Sequence, residues 1–321
     1  MSVRVLALCG GIGGAKLALG LSRILPPNEL AIVVNTGDDF EHLGLSISPD
    51  VDTVVYTLAG INNTELGWGL AGETWAFMDQ LAKLGGEDWF RLGDRDLALH
   101  VERTRRLCAG ESLTAITADV KHRLGVAPAI LPMSDDPVRT IVETDEGVLP
   151  FQRYFVGRRA EPKVRALRYE GAESARPNSQ VMAALQDPAL EAVILCPSNP
   201  WLSVAPLLAM PQLAAALRST QAPVVAVSPI VGGQALKGPT AKLMLELGLP
   251  ASAVSVARYY AGLIDGFVLD TVDAGLAGAL QDDPVALEVL PTVMTDLASS
   301  EALARGVLAF AQRLRAPPER P

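Results

Sequence analysis

Short, almost unbroken apolar runs punctuate this chain, and each ends in glycine, serine, proline, asparagine or aspartate. Val3–Cys9 (VRVLALC), Leu30–Asn35 (LAIVVN), Ala192–Cys196 (AVILC), Val224–Ser228 (VVAVS) and Gly266–Asp270 (GFVLD) are too short for typical helices. Their aliphatic and β-branched content fits strands covered on both faces. After the first run come four glycines in five residues, then Lys16–Leu25, where Leu17, Leu21 and Leu25 recur at helical spacing. Strand, glycine-rich turn, helix and strand make a βαβ unit. The expected fold is therefore α/β, a doubly wound, Rossmann-like and mostly parallel sheet.

The pattern changes in the middle. From Tyr56 to Val126 it is mostly helical, with Trp68, Trp75 and Trp89 and the charged stretch RLGDRDLALHVERTRR. Ile130–Val156 then carries strand-like pieces, RTIVET and FQRYFV. This predicts a core of residues 1–56 and 180–321, with residues 57–179 inserted as a mostly helical second lobe that contributes to the site. Asp296–Arg315 is expected to be a helix and APPERP a frayed tail.

Composition narrows the partners. Aromatics are only 5%, so the core must be aliphatic. A net charge of −9 argues against broad binding to nucleic acid or anionic membrane, and an anionic ligand would need a local positive site. Cys9, Cys108 and Cys196 show no metal or redox spacing, and three histidines make a His-rich zinc site unattractive. No run approaches the roughly 18 apolar residues of a membrane span. The expectation is a soluble, cytoplasmic protein acting on small molecules.

Several stretches can carry chemistry. Gly11-x-Gly13 opens like a dinucleotide loop, but Lys16 stands at the third glycine, and no GKS or GKT ending follows. Backbone N–H groups and a helix N-terminus can still hold an anion there, with Lys16 adding charge. A plain strand-to-helix turn is the alternative. Asp38, Asp39, Glu41, Asp50, Asp52 and Glu65 cluster after the second strand. They suit a hard cation such as Mg²⁺ or, more simply, the acidic first turn of a helix. Arg91, Asp94, Arg95 and Asp96, with His100, Arg103, Arg105 and Arg106 nearby, form either a local cationic site or a helix laced with ion pairs. Asp135 and Asp136 sit between prolines, while Cys196-Pro-Ser198-Asn199-Pro and Ser228-Pro-Ile-Val-Gly232-Gly233, followed by Lys237, close two strands. Ligands of open α/β sheets bind at such strand ends.

Taken in order, GGIGGAKLALGL, VVNTGDD, ISPDVDTVVYTLAG, WFRLGDRDLALHVERT, ILPMSDDPVRTIVET, CPSNPWLSV and VAVSPIVGGQALKGPTAKLM resemble the 2-phospho-L-lactate transferase family of coenzyme F-420 biosynthesis. The resemblance runs from about Val3 to Asp270. One departure is Ile12, which stands where the family commonly has threonine.

The resemblance implies an Mg²⁺-dependent transferase and a homodimer. Its donor would be a guanosine-diphosphate derivative of a phospho-organic acid, either 2-phospholactate or phosphoenolpyruvate. Its acceptor would be 7,8-didemethyl-8-hydroxy-5-deazariboflavin, with GMP leaving. It further implies that Asp50 and Asp52 hold the metal or the acceptor hydroxyls. Arg91 and Arg95 would meet acceptor or phosphates, steadied by Asp94 and Asp96, with Asp135 and Asp136 as further candidates. Gly11, Gly13, Lys16, Ser198, Asn199 and Gly232 would line the nucleotide and diphosphate side, and Trp68 the deazaflavin ring. Two rivals are a non-catalytic nucleotide-sugar-binding regulator of the related gluconeogenesis-factor family and a Rossmann dehydrogenase. The SPDxDT and MSDDPV stretches speak against the first, and Lys16 in place of the third glycine against the second.

Overall fold

In the computed structural model, which describes residues 3–236 and 238–315, seven strands form one parallel sheet. In chain order the strands are β1 (Val5–Cys9), β2 (Leu30–Val34), β3 (Phe40–His42), β4 (Leu45–Ile47), β5 (Ala129–Pro132), β6 (Arg139–Thr144), β7 (Gly147–Pro150), β8 (Val164–Glu170), β9 (Ala192–Leu195), β10 (Val224–Val227), β11 (Ile230–Val231), β12 (Gln234–Ala235), β13 (Gly266–Asp270) and β14 (Ala286–Leu290). The central order is β14-β13-β10-β9-β1-β2-β5, so the chain winds outward one way from β1 and the other way from β9. The tail APPERP and Lys237 lie outside the described residues.

Alternation along β1 explains the two layers. Leu6 and Leu8 join one buried cluster, and Val5, Ala7 and Cys9 the other. The second cluster is covered by α1 (Gly11–Ile24), α2 (Pro49–Ala59) and the C-terminal helix Leu297–Arg315. Both faces are therefore dry, which is why these strands read as continuous apolar runs rather than alternating ones.

The insertion differs from its expected outline in two places. β5 lies within residues 57–179 yet pairs with β2, from Ala31↔Ala129 to Val34↔Pro132, as an edge strand of the central sheet. FQRYFV is not a strand: Arg153–Gly157 is a π-helical turn, and Phe151 stacks on Phe155 with centroids 5.4 Å apart. Two aromatics four residues apart meet on one helical face, a spacing that a period-two reading passes over. The remainder comprises α3 (Ala76–Lys83), α4 (Asp96–Cys108), α5 (Leu113–Arg123) and a small antiparallel sheet, β7-β6-β8.

Candidate active site

The loops after β1 and β9 diverge where the strand order reverses, and the crevice between them opens into a cavity of about 970 Å³. Gly11, Gly13, Lys16, Asp50, Asp52, Trp68, Arg91, Asp96, Ser198 and Asn199 line it together, although the chain separates them by up to most of its length.

The glycine loop is shaped by its neighbours. Gly11 has φ +64°, in the left-handed region that a side chain resists. A Cβ on Gly13 would overlap the carbonyl oxygen of Pro197, so the helix approaches the β9 loop as closely as backbone allows. Gly10 donates its N–H to Ser198 Oγ at 3.2 Å, and Gly11 donates to Asp50 Oδ1 at 2.7 Å. Gly10 offers α1 no side-chain cap, and because Gly10 to Gly13 line the cavity, the positive end of the helix and the first-turn donors beyond Gly11 border it. Lys16 adds an ammonium that donates to the Met294 carbonyl at 2.7 Å.

Opposite stands an acidic group. Asp50 opens α2 and is buried; its Oδ2 accepts Asn35 Nδ2 at 2.9 Å. Burial pushes its carboxyl up to about 6 despite the bonds from Asn35 and Gly11. Asp38 also lines the cavity, and burial, then the nearby Asp50 charge, lift it well above the usual carboxylate range. Its Oδ1 is buried without a hydrogen-bond partner. Among the described residues no three His, Cys, Asp or Glu side chains converge on a metal site. A cation seated against Asp38 and Asp50 would therefore complete its shell with water or substrate oxygens, as Mg²⁺ commonly does.

Asp52 is differently placed. Both its oxygens accept from the buried guanidinium of Arg103, and His100 Nδ1 lies 3.8 Å from Oδ2. Burial still raises its pKa, against the pull of Arg103 and His100. The Arg103 guanidinium already neutralises Asp52, whereas Asp50 meets only neutral N–H donors and Asp38 keeps an open oxygen, so Asp52 has less to offer a metal than either. Asn35, the last residue of the second apolar run, joins Asp50 to the Leu202 carbonyl, its Nδ2 donating to them at 2.9 and 3.3 Å, and nothing in that run marks it as a site residue.

The arginine-rich stretch divides. Arg91 lines the cavity, stands over Trp75 at 5.0 Å and pairs with Asp79 at 2.9 Å. Arg95 lies outside the lining and donates to the Ala71 carbonyl at 2.8 Å. Asp94 and Asp96 do not steady these arginines. Asp94 accepts Ala76 N and Phe77 N at 2.9 and 3.0 Å, capping α3, while Glu73 accepts Arg95 N and Asp96 N, both at 2.8 Å, at the start of α4. Two helix starts thus exchange carboxylates, each satisfying donors that the helix leaves open. Asp96 instead accepts the Tyr56 hydroxyl and faces His100 Nε2 at 3.4 Å.

Three further expected residues are outside the cavity lining. Asp135 accepts Thr114 N at 2.7 Å near the start of α5, and Asp136 pairs with Arg176 at 2.9 Å. Gly232 gives its N–H to Asp273, at 3.0 and 3.2 Å, so that donor already has a carboxylate partner. Trp89, Phe90 and Phe155 join Trp68 on the insertion side of the cavity, forming an aromatic wall.

A family model described as 2-phospho-L-lactate transferase CofD matches residues 5–304. The chain is 40% identical over 320 residues to a phosphoenolpyruvate transferase of Streptomyces griseus, spanning 98% of this chain and 100% of that one. It is 38% identical over 299 residues to a 2-phospho-L-lactate transferase of Methanosarcina mazei, spanning 93% and 97%. A crystal structure of a UPF0052-family protein from Bacillus halodurans shares the fold, with TM-score 0.63 at 14% identity, covering 95% and 99%.

Proposed function

The chain belongs to the 2-phospho-L-lactate transferase family, and from that premise we propose its substrates and chemistry. The donor is the guanosine-diphosphate derivative of 2-phospholactate or phosphoenolpyruvate. The acceptor is the terminal ribityl hydroxyl of 7,8-didemethyl-8-hydroxy-5-deazariboflavin, and GMP leaves, a step of coenzyme F-420 biosynthesis. One observation carries this reading. A single cavity joins the N-terminus of α1 and Lys16 to the Asp38, Asp50 and Asp52 carboxylates and to an aromatic wall. Anion, cation and flat-ring positions are contiguous, in a volume at the upper end for small-molecule sites, large enough for both substrates.

In this reading the ribityl oxygen attacks the phosphorus that bears the organic acid. One P–O bond forms, the P–O bond to the GMP phosphate breaks, and Asp52 orients the hydroxyl and takes its proton. Asp52 suits that task because burial makes its carboxylate more basic than an ordinary aspartate. The donors of α1 and Lys16 meet the diphosphate and the charge that develops on the leaving oxygen. Mg²⁺ fits the orphaned Asp38 oxygen and the neighbouring Asp50, and when bound it would neutralise phosphate charge. The thiols of Cys9 and Cys196 are buried, pushed up by that burial and outside the cavity lining, so neither serves as a nucleophile.

We further read the protein as a cytoplasmic homodimer; among the described residues no single helix is long and apolar enough to cross a membrane. The test is GMP release from guanylylated donor in the presence of Mg²⁺, with and without the deazaflavin precursor. The reading expects release that depends on the precursor. Release at the same rate without it, or none with either donor, would overturn it.

A further inference from the structure

Helix α4 turns Asp96, His100 and Arg103 to one side, at the i, i+4 and i+7 spacing of a helical face, while Glu102 and Arg105 pair outside. Arg103 is only 2% exposed and does not line the cavity, but it touches two elements that do. Its Nη1 and Nη2 donate to both oxygens of Asp52, and Nη1 also reaches the Ser46 carbonyl at 3.3 Å. Ser46 is tied back to the same helix, its N–H donating to Thr104 Oγ1 at 2.8 Å. The β3–β4 hairpin, which brings Ile47 to the cavity wall, and the first turn of α2 are thus both fastened to α4 around one guanidinium.

We propose that Arg103 is a positioning residue: it presets the Asp52 carboxylate for the acceptor hydroxyl. This rests on the transferase reading above. A lone carboxylate in a helix's first turn can rotate about its side-chain bonds. A planar fork bound to both oxygens removes that freedom and fixes which lone pairs face the cavity. A lysine supplies the charge without the fork, so charge and orientation can be separated by substitution.

The experiment combines Arg103→Lys, Arg103→Gln, Asp52→Asn and the Asp52→Asn/Arg103→Gln double variant, each first shown to be folded by circular dichroism and thermal melting. Arg103→Lys should raise the acceptor KM with donor KM unchanged, and kcat/KM for the acceptor should fall by about 10²-fold, the scale set by misplacing a group by an ångström. Arg103→Gln should fall at least as far. In the Asp52→Asn background Arg103→Gln should cost little more, because the residue it positions is already gone. Equal changes in both KM values, additive losses, or wild-type acceptor kinetics in a folded variant would overturn the proposal. If Arg103→Gln does not fold, Arg103→Lys and the double variant decide. A crystal structure of Arg103→Lys provides a readout independent of activity. The Asp52 carboxylate should rotate away while α2 and the hairpin stay in place, and an unmoved carboxylate would contradict the role. Wild-type protein that forms no product would count against the transferase reading instead, and the crystallographic result would still judge Arg103.

Discussion

The carboxylate of Asp50 accepts the backbone N–H of Gly11 at 2.7 Å, joining the acidic start of α2 to the glycine loop across 39 positions of sequence. Neither motif has its full meaning alone: the loop gains a fixed conformation, and the acid gains a partner beside the crevice. Asp50→Asn keeps the shape but sets an amide against the Asn35 amide, which now donates to Oδ2. The variant should fold, and turnover should drop about 10²-fold or more if the charge supports cation and phosphate. Steady-state kinetics at saturating Mg²⁺ check this.

Asp39 predicts a pH dependence of stability. Burial pushes its carboxyl up to about 7, against the pull of Arg139, Ser48 and Arg103. The folded state then holds a proton that the unfolded chain releases, so this group makes stability fall as pH rises from about 4 to 7. Below that window both states are protonated and the effect vanishes; above it the penalty is complete. Asp39→Asn should flatten the decline by on the order of 2–4 kcal/mol between the two ends. Urea denaturation in EDTA at several pH values measures it, and parallel curves for the two proteins would contradict it.

Gly13 is a packing position before it is a binding one. A Cβ there would meet the Pro197 carbonyl, a backbone atom with no rotamer to yield. Gly13→Ala should cost about 1–3 kcal/mol of stability, the usual range for overpacking, and should weaken donor binding as α1 and the β9 loop move apart. Chemical denaturation and donor KM report the two effects separately.

Asp136 should be dispensable for chemistry. It pairs with Arg176, whose side chain is 83% exposed, and neither residue lines the cavity. Asp136→Ala should leave kcat/KM within about twofold, as expected for a surface ion pair. A large loss of activity in a folded variant would return the residue to the site.

Much of this was legible in the chain. Apolar runs ending in glycine, proline or aspartate marked five of the seven central strands, because a doubly covered parallel sheet forces such runs. β14 escaped because an edge strand is partly exposed and carries Glu288 in its middle. The glycine loop, Lys16, Asp50 and Ser198 line one cavity: the loop and Ser198 follow central strands, and Asp50 is brought there by the β3–β4 hairpin that precedes α2. The aspartates were harder. Local sequence shows a carboxylate but not its partner, and the partner decides its work: Arg103 for Asp52, the start of α3 for Asp94, Arg176 for Asp136. In the sequence Arg103 and His100 belong to a basic run. Their spacing with Asp96 on one helical face was the available signal that they turn inward.

The most direct measurement is mass spectrometry of a reaction containing the protein, Mg²⁺, the deazaflavin precursor and, in separate vessels, guanylylated 2-phospholactate and guanylylated phosphoenolpyruvate. The account predicts a precursor–phospho-acid phosphodiester with at least one donor, equimolar GMP, and initial rates of both lower by about 10²-fold or more in Asp50→Asn. Absence of the phosphodiester with both donors, from folded protein that binds them, would contradict it.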